Sequence, residues 1–195
     1  MSSILNQRTP TGLIIAQTIG VTASAYALGS NMSLSFISIP AVMQAPAPLA
    51  AKQWYTVFTR GGAFGIPSAL IGAIASGYVA SQQDRGSLAF KLNVAAALLL
   101  PCIGPFTIAF IKPVNDKLIE KMNALSSVSL EDKAVEKGVA KEETTHALID
   151  KWAMLNVVRA VFLVAGTLCA TVAAVDKREN IAFKGVGLAT GADRM

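Results

Sequence analysis

Apolar residues fall in four long runs divided by short polar stretches. No Asp, Glu, Lys or Arg occurs between Arg8 and Lys52, between Arg60 and Asp84, or between Lys91 and Lys112; between Lys151 and Asp176 the single charge is Arg159. A helix rising about 1.5 Å per residue needs roughly 20 apolar residues to cross a hydrocarbon core of about 30 Å, and all four runs reach that length. The pattern predicts an all-α integral membrane four-helix bundle. It forms a single domain over residues 1–195, with spans near 11–39, 61–80, 92–111 and 152–175 and a polar helical loop at 112–151.

Each run carries further detail. In the first, Gln17, Gly20, Ser24, Ala27 and Asn31 recur every three or four residues, so one face is small and polar. That face is expected to look into the bundle, because lipid offers an amide no partner. Pro40, Pro46 and Pro48 predict a helix end near Ile39 and a non-helical connection after it. The second run is rich in Gly61, Gly62, Gly65, Gly72 and Gly77, a signal for close helix approach within one bundle or in a homo-oligomer. Pro101 and Pro105 predict a kink in the third span that leaves backbone carbonyls for another group to satisfy.

Beyond Lys112 and Pro113, the spacing of Val114, Leu118, Ile119, Met122 and Leu125 predicts an amphipathic helix. Ser126 to Ser129 reads as a turn, and Ser129 with Asp132 as the capping box of a further polar helix that Gly138 interrupts. A helix resuming near Glu142 is expected to run into the fourth span, and the short tail from Asp176 to be mobile.

Composition agrees with the pattern. With 53% hydrophobic and 15% charged residues and a mean hydropathy of +0.51, an ordinary soluble domain is excluded. The net charge of +5 comes from residues at the ends of apolar runs, so it argues for membrane-flanking charge and against a nucleic-acid surface. Cys102 and Cys169 lie inside apolar runs, where a thiol behaves as a small hydrophobe. One histidine and no CxxC or HExxH spacing argue against a metal centre of several imidazoles or thiolates. Ala23-Ser24-Ala25 resembles a signal-peptidase site, but the run continues well past it, which favours an uncleaved first helix. Net charge weakly favours cytoplasmic termini; the rule that governs insertion counts Lys and Arg in short loops and leaves orientation open.

Arg159 is the most informative residue, since an arginine at a span's centre costs on the order of 2.5–3.5 kcal/mol on insertion scales. Trp152, Asn156 and Arg159 fall within about a 60° sector of one ideal helix face. Two arrangements satisfy the guanidinium: pointing into the bundle with the indole and amide, or snorkelling to the interface or onto a carbonyl freed by the kink. Asn115 ends the third span on the side where the fourth begins, so it can lie near Trp152 and Asn156, or simply close the break at Pro113. Asp116 and Lys117 read as solvated interface charges. His146 and Asp150 form an i, i+4 pair turned about 120° from the Arg159 sector, which favours an exposed pair. Trp54 and Tyr55 read first as interfacial anchors, with Trp54 also a candidate substrate platform.

With Pro113-Val114-Asn115-Asp116-Lys117-Leu118 closing the third span and Trp152-Ala153-Met154-Leu155-Asn156-Val157-Val158-Arg159 opening the fourth, the chain resembles the anthrone oxygenase family. The likeness takes in the four-span layout, the small-residue first helix and the Trp54 segment. It implies a small multi-pass membrane oxygenase of aromatic polyketide secondary metabolism that uses O2 to oxidise an anthrone to an anthraquinone, with no metal or flavin cofactor. On this resemblance Arg159 stabilises an oxyanion, Asn115 and Asn156 hold carbonyl and phenol groups, and Trp152, with Trp54, binds the flat rings. Asp116, His146 and Asp150 are the candidate bases, Asp116 first because it adjoins the motif. The competing expectation is a non-enzymatic four-helix membrane protein that binds a lipid or a partner, with Arg159 serving assembly. A small transporter is a third, weakened by a single intramembrane charge and the lack of a detectable inverted repeat.

Overall fold

A computed structural model describes residues 9–132 and 134–176; the expected mobile tail lies outside the described residues from 177 onward. Four long helices dominate: α1 Thr11–Val42, α2 Ala47–Ser81, α3 Leu88–Ala124 and α4 Thr145–Val175. Each is long and apolar enough to cross a membrane, and among the described residues there is no strand. Consecutive helices pack side by side and α4 closes the ring against α1, as short connections between antiparallel neighbours require. The outward faces carry Ile37, Ile74, Leu98, Ile108 and Val161, all well exposed, so the surface of the bundle is itself apolar.

The helices extend beyond the apolar runs, and three expectations change with them. First, Pro40 does not end α1. Leu34–Ser38 form a π turn in which the Ile39 N–H bonds to the Leu34 carbonyl, five residues back. That widened turn accommodates the proline ring and its missing N–H, so the helix continues to Val42. The chain reverses over residues 43–46, and α2 starts at once with Pro48 in its first turn, where no N–H is needed.

Second, because α2 begins at Ala47, Trp54 sits inside a helix and is 0% exposed. It is a core residue and not an interfacial anchor: its ring stacks on Phe58 at 5.2 Å and meets Trp152 edge-on at 6.0 Å. Tyr55, one position round the helix, stays exposed.

Third, the polar helix expected after Ser129 does not form. Asp132 accepts from the Ala134 N–H at 2.8 Å, and turns follow to Gly138, whose φ of +89° suits glycine. Short Ser and Asp side chains compete for backbone donors, and the apolar Leu130 and Val139 stay exposed outside the core, so no buried face supports a helix there. Glu136 instead ties the loop down. Its carboxylate accepts from Lys121 on α3 at 3.2 Å and from the Thr145 N–H and hydroxyl at 2.9 Å. Thr144 caps α4 through the Ala147 N–H, so that helix starts at Thr145 after a 3₁₀ turn at Lys141–Glu143.

α3 keeps going through its prolines. Leu100–Cys102 tighten to 3₁₀, Thr107–Ile111 widen to π, and the amphipathic segment follows to Ala124. Both irregular stretches lie beside prolines, the usual cause of a break in helix geometry. The 3₁₀ turn seats the fully buried Leu100 between two glycines. A Cβ on Gly72 would lie 3.2 Å from Leu100 and from Ser24, and one on Gly166 only 2.8 Å from Leu100. The small residues of α1, α2 and α4 thus close this half of the bundle by near contact.

Candidate active site

The π turn of α1, the π turn of α3 and the second to fourth turns of α4 lie at the same level, and the polar side chains of three helices meet there. Trp152 Nε1 donates to Asn115 Oδ1 at 2.8 Å, linking α4 to α3. One turn on, Asn156 is 0% exposed and its Nδ2 donates to the Trp152 carbonyl at 2.8 Å. Asn31 of α1, 4% exposed, is satisfied at both ends when its amide oxygen faces the guanidinium. Its nitrogen then donates to the Asn156 carbonyl at 2.9 Å, and its oxygen accepts from Arg159 Nη2 at 2.6 Å and Nε at 3.2 Å. Arg159 Nη1 donates to Thr107 Oγ1 at 3.1 Å, and Thr107 in turn donates to the Ile103 carbonyl. Ser35 Oγ donates to the Ala153 carbonyl at 3.2 Å and pins α1 to α4 beside the cluster.

The guanidinium is therefore held inward by an amide and a hydroxyl. Among the described residues it meets no carboxylate, for the ion pairs there are Lys112 with Asp116 and Lys121 with Glu136. A cation in an apolar interior with dipoles but no counter-charge is costly, and an anion brought beside it would offset part of that cost. Beside it lies a cleft of about 30 Å³, lined by Asn31, Arg159, Ile103 and Leu163 within and by Ser30, Leu34, Gly61, Gly62 and Gly65 toward the outside. As it stands, it has room for a water or two. A larger hollow of about 350 Å³ sits outside the bundle between Lys117, Lys121 and Glu143; none of the cluster residues line it.

The structure brings together Asn115, Trp152, Asn156 and Arg159, and packs Trp54 against Trp152. It does not bring Asp116, which pairs with Lys112 at 2.7 Å on the exposed face of α3, one residue round from the buried Asn115. Nor does it bring the other candidate bases. His146 Nε2 hydrogen-bonds the Ala45 carbonyl at 2.9 Å, fastening the α1–α2 turn to α4, and Asp150 is exposed. Asn31 and Thr107 are site residues that no short motif marks. Asn31 carried a signal as the innermost amide of the polar face of α1, whereas Thr107 in an apolar run carried none.

A family model described as Anthrone oxygenase matches residues 54–169, more than half of the chain and all of the cluster except Asn31. The chain belongs to the anthrone oxygenase family. Family membership makes the cluster the candidate active site of an oxygenase, since Asn115, Trp152, Asn156 and Arg159 all lie in the matched region. Among curated relatives, it is 26% identical to the monooxygenase hypC of Dothistroma septosporum over 78% of each chain. It is 25% identical to the noranthrone monooxygenase of Aspergillus flavus, over 77% of this chain and 69% of that one. No solved structure shows significant similarity.

Proposed function

We propose that this oxygenase is a multi-pass membrane enzyme that oxidises an anthrone-type aromatic polyketide to the corresponding anthraquinone with O2, using no metal or flavin. The observation that carries the reading is Arg159: a guanidinium inside an apolar bundle, without a carboxylate partner, lining a cleft. Such a group matches a flat, apolar substrate that acquires negative charge on oxygen during reaction.

The chemistry balances without a further reductant. Loss of one proton from the methylene of an anthrone puts charge on the ring carbonyl oxygen, where Arg159 stabilises it. The carbanion's electron pair forms a C–O bond to O2, and the peroxide anion takes up a proton. Loss of the second methylene proton then breaks the O–O bond, leaving a new carbonyl and one water. Asn31 and Thr107 are positioning residues that hold the guanidinium, and Asn156 and Asn115 hold substrate oxygens or each other's neighbours in register. Trp152 and Trp54, packed edge to face, form the rigid aromatic floor behind the cluster. The enclosed groups act on the oxygen end of the substrate, and water takes the methylene proton.

The test is product analysis under ¹⁸O2 with membranes containing the chain, supplied with an anthrone. Anthraquinone carrying one labelled oxygen, formed faster than in membranes containing Arg159→Met, is expected. Formation at the same rate in both removes the reading.

A further inference from the structure

We propose that a flat apolar ring system reaches Arg159 sideways, from the bilayer, through the gap between α1 and α2, and that Leu34, Gly62 and Gly65 set the size of ring admitted. The inference rests on the oxygenase reading above and assigns that same site its entrance and its specificity-determining residues.

The cluster is closed at both ends of the bundle. Toward the polar loops, Trp54, Ile111, Leu118, Ile149 and Trp152 form one continuous buried core; toward the far end, Ala69, Leu100 and Leu163 belong to another. The cleft beside Arg159 reaches outward between Ser30 and Leu34 on α1 and Gly61, Gly62 and Gly65 on α2. Here the two helices leave room. A Cβ on Gly62 would meet nothing within 4 Å, and one on Gly65 only Ser30 Oγ at 4.0 Å. Further along the same pair of helices, a Cβ on Gly72 would press on Ser24 at 3.2 Å. Gly62 and Gly65 therefore hold space open at the mouth, whereas Gly72 is there for contact.

One side chain fills the mouth. Leu34 lies so close over Gly61 that a Cβ there would sit 2.8 Å from its Cδ1. Leu34 also opens the π turn of α1, so its backbone carries the wider, less regular hydrogen bonding of such a turn. The cleft of about 30 Å³ is far smaller than the roughly 300 Å³ or more of a small-molecule pocket. Swinging Leu34 off Gly61 is the movement that enlarges it; Leu34 gives up contacts at the edge of the core around Trp54, and no fully buried residue has to move.

Anthraquinone is a suitable probe, because it has the ring shape of the proposed product and quenches tryptophan. The chain's two tryptophans, Trp54 and Trp152, both border the site. In nanodiscs holding the full chain, Gly62→Leu and Gly65→Leu are expected to weaken anthraquinone binding by about tenfold or more, and Leu34→Ala to strengthen it. Ile74→Ala, on the outer face of α2 and 72% exposed, should bind as the parent does. Gly62 and Gly65 have the space to take a side chain, and thermal melts confirm that each variant folds. Unchanged binding in both leucine variants overturns the proposal, as does a parent protein that does not bind the probe. The two readings separate cleanly. A parent that binds and discriminates as described but leaves anthrone unoxidised keeps the entrance and loses the proposed reaction; turnover insensitive to the leucine substitutions loses only the entrance.

Discussion

The two halves of the bundle are made from the same four helices and solve opposite problems. Around Leu100, glycine and alanine bring backbones together until a single added methyl group would press on Ser24 or collide with Leu100. Around Arg159, larger polar and aromatic side chains meet between the helices, and hydrogen bonds between them fix the geometry. Close packing around Leu100 leaves no room for a ligand there, and that half serves the site by backing the cleft with Ile103 and Leu163. The second retains a cleft, a charge and two π turns, features that a helix bundle built for stability alone has no reason to keep.

The sharpest way to separate the halves is Arg159→Met. Anthrone turnover is expected to fall by about 10²–10³, the effect of removing a donor to an oxyanion. The melting temperature should hold or rise, because a cation without a counter-charge leaves the interior. A matched loss of stability and activity would mean that Arg159 is structural.

In the other half the signs reverse. Gly166→Val drives a side chain into Leu100 and should cost about 1–3 kcal/mol in denaturant or thermal unfolding. Turnover per folded molecule should stay near the parent value; a selective loss of turnover would show that the two halves are coupled.

A smaller effect is expected of Trp152→Phe, which keeps an aromatic ring of reduced size and deletes the donor to Asn115. The lost bond should lower stability by about 1 kcal/mol. Asn115→Leu in the same background should then cost no more, which a double-mutant cycle measures.

Smallest of all is Asp116→Asn. The Lys112 pair lies on the exposed face of α3, so its loss should change stability by less than about 1 kcal/mol and leave turnover unaltered. A large drop in turnover would restore Asp116 as the base.

Much of this was legible because lipid-length apolar runs leave the backbone one economical choice, a helix, and because a lone arginine in such a run demands company. The same reasoning failed wherever hydrogen bonding across helices overrode local signals. Pro40 looked like a terminus until the π turn absorbed it. Trp54 reads as an anchor from the sequence, but α2 starts at Ala47, seven residues before it, and carries it into the core. The capping pattern at Ser129 had no packed face to support it.

Four spans, the inward polar face of α1, and a Trp152, Asn156 and Arg159 sector on α4 follow from periodicity and charge placement along the chain. Which residues hold the guanidinium does not, because Asn31 and Thr107 are 128 and 52 positions from Arg159 and meet it only when three helices pack. Periodicity reports which way a side chain faces on its own helix. Helix packing alone decides what it faces, and so it is tertiary structure that separates buried Asn115 from exposed Asp116 beside it.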